Sequence, residues 1–222
     1  MRHVASRCRP SLQSELGRWL EESPRFSDFL TKHQDKVRKK LTVSDDEETR
    51  LDVRAELLVA YLLLADRRFE LAFEAYGARQ RGPDLSVTYR ANQRFNLEVT
   101  RLRADASEAR LASVIAGKLR QLPAGMANAL LIAATGFASA EDTLAAAARL
   151  LRQHADARDD EFFTRRGFSS AREFHAQWLR LSALYVLDET TDPRTLASWP
   201  NREATHQLPR EAQPALTACL TT

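Results

Sequence analysis

Residues 83–100 read PDLSVTYRANQRFNLEVT, and this stretch decides the fold of the chain. On both sides of a short turn at 91–93, apolar side chains alternate with polar ones, which is the pattern of a strand with one covered face. Side chains at i and i+2 lie on the same side of a strand. The stretch therefore predicts two antiparallel strands whose odd-numbered apolar residues pack against one layer of the core.

The flanking sequence extends this pair of strands into an α/β protein. Residues 69–76 alternate in the same way and predict a preceding strand, followed by a polar turn at 77–82. The apolar runs 129–134 and 181–187 predict two further strands, the first of them covered on both faces. Helical periodicity fills most of the remaining chain, and three helix starts carry capping pairs, namely Ser44 with Glu47, Asp105 with Glu108, and Ser139 with Asp142.

This order of elements predicts an α/β sandwich with a mixed central sheet flanked by helices. We divide the chain into an N-terminal helical segment (1–43), a core (44–190) and a C-terminal tail with a short helix (191–222). A polar helical insertion near 155–180 interrupts the core. Its phenylalanines are interpreted as core anchors rather than as platforms for stacked bases.

The composition excludes several classes of protein. The 222 residues carry a net charge of +3, which permits nucleic-acid binding without requiring it. No CxxC pair, dinucleotide or Walker motif, or nucleophile-elbow motif occurs, which disfavours structural zinc, nucleotide cofactors and serine hydrolysis. The first twenty residues lack the apolar segment of a signal peptide, and no apolar run is long enough to span a bilayer. We therefore expect a cytoplasmic protein without membrane contact.

Lys118 occupies an unusual position for a lysine. It is the only one of the five lysines that follows residue 40, and it lies on the apolar stripe of its predicted helix. A buried ammonium group costs free energy unless an anion meets it. Three upstream acids are candidate partners: Glu56, Asp84 and Glu98.

The strand pattern brings these acids together. Asp84, Glu98 and Thr100 lie opposite the apolar sets of their strands, so they share one face of the predicted sheet. Neighbouring carboxylates repel each other unless a cation lies between them. Sites rich in oxygen ligands suit Mg²⁺ or Mn²⁺.

Pro83-Asp84, a step of 14 residues, and Glu98-Val99-Thr100 resemble the motif of the PD-(D/E)XK nuclease superfamily, which has the restriction-endonuclease-like fold. The family core has the order α-β-β-β-α-β, which is also the predicted order from residue 44 to residue 134. The chain departs from the motif at Thr100, where the family has lysine. Some members supply this lysine from the following helix, where Lys118 stands with Gln121 one turn later.

The resemblance implies a divalent-metal-dependent phosphodiesterase that acts on DNA through a metal-activated water. Asp84, Glu98 and Glu56 would hold Mg²⁺ or Mn²⁺. Lys118 would orient the attacking water, and Gln121 and Thr100 would position it by hydrogen bonds. A homodimer would suit paired cuts in a duplex. The basic residues assigned to nucleic-acid contact are Lys36, Lys39, Lys40, Arg101 and Arg103.

Each of these residues also has a simpler interpretation. Asp84 follows Gly82-Pro83 and suits a turn, Glu56 suits a core-edge acid, and Lys118 could extend past the apolar stripe to water. Glu98 could pair with Arg101 or Arg103. The basic run at 32–40 suits a solvated helix end. Thr100 supports a second hypothesis, in which the protein is a catalytically inactive nucleic-acid-binding or assembly protein of the same fold.

Overall fold

The structure is a computed structural model, and it describes residues 12–42, 46–75, 82–103 and 107–222. Their strands form one six-stranded mixed sheet in chain order, with β3 parallel to β4, β4 parallel to β5, and all other neighbours antiparallel. The strands are β1 (Phe69–Phe73), β2 (Leu85–Tyr89), β3 (Gln93–Arg101), β4 (Asn128–Ala133), β5 (Leu181–Asp188) and β6 (Thr195–Pro200). The predicted α/β class with a mixed sheet is confirmed.

Helices cover both faces of the sheet. The described helices are α1 (Leu12–Glu22), α2 (Pro24–Thr42), α3 (Glu47–Leu64), α4 (Glu108–Leu119), α5 (Ala140–Asp156), α6 (Asp160–Thr164), α7 (Ala171–Trp178) and α8 (Ala212–Thr221). Helices α1, α2, α3 and α8 enclose one hydrophobic core, and α4 to α7 enclose the other. The alternating residues of β2 and β3 all lie in the first core, as their pattern predicts: Leu85, Val87, Tyr89, Phe95, Leu97 and Val99.

Helix α3 carries the first acid of the site. Its second half is apolar almost all round and is buried, as the sequence predicts. Glu56 lies within this buried stretch and is only 7% exposed. Neither α3 nor any other helix in the described ranges is both long and apolar enough to cross a membrane.

The helix starts were predicted with mixed success. Ser139 accepts a hydrogen bond from the Asp142 amide, which confirms that cap. The N-cap of α3 is Asp46, and that of α4 is Ser107. Ser44 and Asp105, the predicted caps, lie outside the described residues, as do 77–81 of the predicted turn. The prediction of these two caps was wrong because Asp46 and Ser107 offer equally good acceptors two residues later.

The C-terminal segment contributes a strand that the sequence did not predict. Residues 195–200 form β6, which pairs antiparallel with β5 at one edge of the sheet. Their burial lacks a clean two-residue alternation, and Pro200 at the end of the strand is tolerated at an edge position. The predicted helical insertion is divided into α6 and α7, and its aromatic side chains Phe163, Phe168, Phe174 and Trp178 are buried, as predicted.

Candidate active site

The strand register places Asp84 beside Glu98. Leu85 pairs with Leu97 in the antiparallel ladder, so the residue before β2 meets the residue after Leu97. The backbone amide of Val99 donates a 3.0 Å hydrogen bond to Asp84 Oδ2, which fixes this carboxylate against β3. Two carboxylates from neighbouring strands therefore converge, as the sequence predicts.

Lys118 reaches Glu98 from α4, which covers the face of the sheet opposite α1, α2, α3 and α8. Its Nζ donates a 2.7 Å hydrogen bond to Glu98 Oε1, while Glu98 itself is 1% exposed. The predicted need for an anionic partner is met, and Lys118 does not simply extend into water. Arg101 and Arg103, the alternative partners for Glu98, instead form ion pairs with Glu48 and Asp52.

The second oxygen of Glu98 is unusual. Oε2 is buried and, among the residues that the structure describes, has no hydrogen-bond partner. A buried carboxylate oxygen without a donor costs free energy. This oxygen would be satisfied by a proton or by a cation that lies between Glu98 and Asp84.

Lys40 contacts the acids of the cluster other than Glu98. From the last turn of α2, its Nζ donates to Glu56 Oε2 at 2.7 Å and to Asp84 Oδ1 at 3.0 Å. It also lies 3.2 Å from Glu74 Oε1 and 4.9 Å from the centre of the Phe73 ring. Three carboxylates thus share one ammonium group.

Burial and the charge of Asp84 shift the pKa values of Glu56 and Glu98 upward. For Glu98, burial first and the charge of Asp84 second raise the pKa to about 7, against the opposing effect of Lys118. Burial also raises the pKa of Glu56 well above its ordinary value, and Asp84 again adds to this. Around both Glu56 and Glu98, the nearby positive charge is therefore not sufficient to offset burial and the repulsion from Asp84.

The two lysines remain charged in spite of their burial. Burial lowers the pKa of Lys40, but the charges of Asp84 and Glu56 outweigh burial and raise the pKa above its ordinary value. Burial likewise lowers the pKa of Lys118, and Glu98 outweighs burial and raises it. Asp84 and Glu56 also act on Lys118 electrostatically. The acids and both lysines therefore form one electrostatic unit.

A groove adjoins Lys118. It has a volume of about 250 Å³ and includes Lys118 together with Thr100 and Gln121. Gln121 lies just beyond the end of α4, where its amide donates to the Lys118 carbonyl. The basic residues that line the groove are Arg101, Arg103 and Arg110.

The basic residues of α2 do not form one continuous surface. Lys36 donates to the carbonyls of Phe73 and Glu74 at the end of β1, and Lys40 is committed to the acid cluster. Lys39 is exposed. The structure thus leaves Lys39 available to an external phosphate and gives Lys36 and Lys40 internal partners.

The acid cluster has the donor chemistry of a divalent-cation site. Carboxylate oxygens are the preferred ligands of Mg²⁺ and Mn²⁺, and Glu98 has a buried oxygen without a hydrogen-bond partner among the described residues. In the arrangement observed, no three His, Cys, Asp or Glu side chains in the described ranges converge closely enough to hold a metal ion. The Lys40 ammonium group occupies one oxygen of Glu56 and one oxygen of Asp84. The donor set therefore fits the ion, provided that Lys40 moves.

Sequence reasoning missed the role of Lys40 and did not select Glu74. A signal for Lys40 was present, because Phe26, Phe29, Val37 and Lys40 follow helical spacing and the first three are buried. The same reasoning that singled out Lys118 on its stripe applies to Lys40. Glu74 had no such signal: it follows β1, and its backbone amide donates to the Asp84 carbonyl, a contact set by the strand pairing.

Three groups of residues define the site: the acids Glu56, Asp84 and Glu98, the lysines Lys40 and Lys118, and the arginines of the groove. They come from α2, α3, the start of β2, β3 with the residues that follow it, and α4. No protein-family model, curated protein or solved structure matches the chain.

Proposed function

We propose that the protein is a divalent-metal-dependent phosphodiesterase that acts on DNA, with a site of the PD-(D/E)XK kind. The observation that carries the proposal is the 2.7 Å contact between Lys118 and Glu98, a residue next to Asp84 across the strand pair. Among the described residues, the second oxygen of Glu98 is buried without a hydrogen-bond partner. The element order α3-β1-β2-β3-α4-β4 supports the restriction-endonuclease-like core that the sequence resembles.

The residues of the chain would divide the chemistry among them. Glu98, Asp84 and Glu56 would hold Mg²⁺ or Mn²⁺, which when bound supplies a nucleophilic water and stabilises charge on the phosphate. Lys118 lies at the mouth of the groove and is charged, so it would orient the attacking water and offset the charge of the phosphate oxygens. Thr100 and Gln121 line the same groove and offer hydrogen bonds to substrate.

The groove supports a phosphodiester substrate. Arginine side chains recognise phosphate through several hydrogen-bond donors. Arg101 and Arg103 are held by Glu48 and Asp52, which fixes their positions but reduces their free charge. Arg110 is exposed at the start of α4, and within the described ranges no carboxylate forms an ion pair with it. We therefore assign the main phosphate contact to Arg110, a residue that the sequence did not select.

Arg110→Ala should weaken DNA binding and reduce its salt dependence. Losing one phosphate contact lowers the slope of log K against log salt by about 1. The measurement is fluorescence anisotropy with a labelled duplex at several salt concentrations, in EDTA to prevent cleavage. Arg202→Ala, at an exposed position after β6, is the matched control. Equal slopes for the wild type and Arg110→Ala would remove Arg110 from the interface.

The metal site is tested by titration of Mn²⁺ in a calorimeter. We expect binding to the wild type and none to Asp84→Asn/Glu98→Gln, because this double variant keeps the shapes of both side chains and removes their charges. Circular dichroism would check that the variant is folded. Cleavage of supercoiled plasmid and of a single-stranded oligonucleotide would then identify the substrate form. Undiminished Mn²⁺ binding to the double variant would reject the assigned ligands.

A second candidate function is a catalytically inactive nucleic-acid-binding or assembly protein of the same fold. Two observations favour it: Thr100 stands where the motif has lysine, and the Lys40 ammonium already lies between Glu56 and Asp84. This hypothesis expects DNA binding through the groove with no response to Mn²⁺. The same anisotropy and calorimetry experiments therefore separate the two functions.

A further inference from the structure

Lys40 is held as a cation would be held. Its ammonium group contacts carboxylates from three elements: Glu56 on α3, Glu74 after β1 and Asp84 before β2. The distances of 2.7, 3.2 and 3.0 Å are all within ion-pair range. Two of these acids, Glu56 and Asp84, are among the three residues assigned to metal ligation.

A divalent ion bound to Glu56 and Asp84 would compete with this ammonium group for the carboxylate oxygens that it now contacts. Like charges at such short separation repel strongly in a buried site. The Lys40 side chain can move from the acid cluster into solvent, because it lies in the last turn of α2 and is about one quarter exposed. Glu74 is more exposed than Glu56 or Asp84, so it can keep the ammonium group after the inner acids release it.

We propose that Lys40 is the resident cation of this acid cluster, and that Mg²⁺ or Mn²⁺ binds to Glu56, Asp84 and Glu98 by displacing the Lys40 ammonium group toward Glu74 and solvent. The inference rests on the proposed function, since it assumes that these acids bind a metal. Lys40 is thus a positioning residue that sets the apparent metal affinity, because only the fraction of molecules with Lys40 displaced is competent to bind.

The test compares Mn²⁺ affinity between Lys40→Met and the wild type by calorimetry. We expect Lys40→Met to bind Mn²⁺ at least about tenfold more tightly, since the competing cation is gone. Lys32→Met, which changes an exposed lysine on the same helix, should bind like the wild type. Equal affinity in Lys40→Met and the wild type would overturn the inference and leave the metal site standing. Absence of Mn²⁺ binding in all three proteins would overturn the inference together with the metal site.

A thermal melt adds a readout that does not depend on the affinity. Without metal, Lys40→Met leaves Glu56 and Asp84 without their ammonium group, so its melting temperature should fall below that of the wild type. Saturating Mn²⁺ should restore it. A variant that is equally unstable with and without Mn²⁺ would count against the exchange of one cation for the other.

If Lys40→Met does not fold, the wild type can be tested directly. Brief acetylation with acetic anhydride, followed by mass spectrometry, reports the accessibility of each lysine. We expect saturating Mn²⁺ to increase the acetylation of Lys40 several-fold and to leave that of Lys39 unchanged. In Glu98→Gln, where the metal site is impaired, Mn²⁺ should have little effect on Lys40. Lys40 acetylation that does not change when Mn²⁺ is bound to the wild type would overturn the proposal.

Discussion

Glu98→Gln should raise the free energy of unfolding of the metal-free protein by about 3 kcal/mol at pH 8 and change it little at pH 5. In the folded wild type the pKa of Glu98 is raised from 4.5 to about 7. Between these values the folded state binds more protons than the unfolded state, so the stability of the wild type falls as pH rises through this window. Glutamine stays neutral and avoids this loss.

The measurement is urea denaturation in EDTA at both pH values. Glu70→Gln changes an exposed carboxylate on β1 and serves as the control, with little expected effect at either pH. A Glu98→Gln variant that is less stable than the wild type at pH 8 would show that the ion pair with Lys118 stabilises the fold more than burial of the charge destabilises it. In that case Glu98 would be a structural acid.

Lys118→Met should lower Mn²⁺-dependent cleavage of DNA by roughly 10²–10³-fold, the usual loss when one group that stabilises transition-state charge is removed. The methionine keeps the length of the side chain and removes its charge, so the groove keeps its shape. Mn²⁺ binding should persist, because Lys118 is not a ligand and its loss frees Glu98 Oε1 from the hydrogen bond with Nζ. Initial rates on the preferred substrate, at saturating Mn²⁺, give the measurement.

Two further variants sharpen this result. Lys118→Arg keeps the positive charge and should retain more activity than Lys118→Met, while Lys32→Met changes an exposed lysine on α2 and should cleave like the wild type. Unchanged cleavage in Lys118→Met would remove the lysine from the reaction. Loss of cleavage together with loss of Mn²⁺ binding would instead indicate that Lys118 holds Glu98 in place for the metal.

Much of the fold was predictable because its elements carry strong periodic signals. The alternation at 85–89 and 95–99 is complete, and the structure places both apolar sets in one core. The strand at 195–200 was missed because at an edge only Ala197 is fully buried, so its local pattern is weak. The start of α3 was placed at Ser44 because residues 44–48 offer several acceptors for one helix end, and tertiary context selects among them.

The site was predictable where one element fixes the geometry and not where several elements meet. Strand parity was sufficient to bring Asp84 and Glu98 together, and helix periodicity was sufficient to aim Lys118 at them. The helical spacing of α2 indicates that Lys40 points inward, but the acids that it meets depend on how α2 packs against α3 and the end of β1. The same limitation hid Arg110, because its importance comes from a groove formed by β3 and α4.

The division of helices between the two faces has a consequence for how the protein is made. Helices α4 to α7 lie between successive strands in the chain, so their face can close as the sheet grows during synthesis. The opposite face is covered by the first three helices together with α8, which packs against α3. A ribosome-bound chain synthesised only through β6 can pair all its described strands but leaves part of α3 bare. We expect such nascent chains to recruit chaperones until residues 212–221 emerge. Helix α3, which carries Glu56, is therefore among the last parts of the protein to be fully packed.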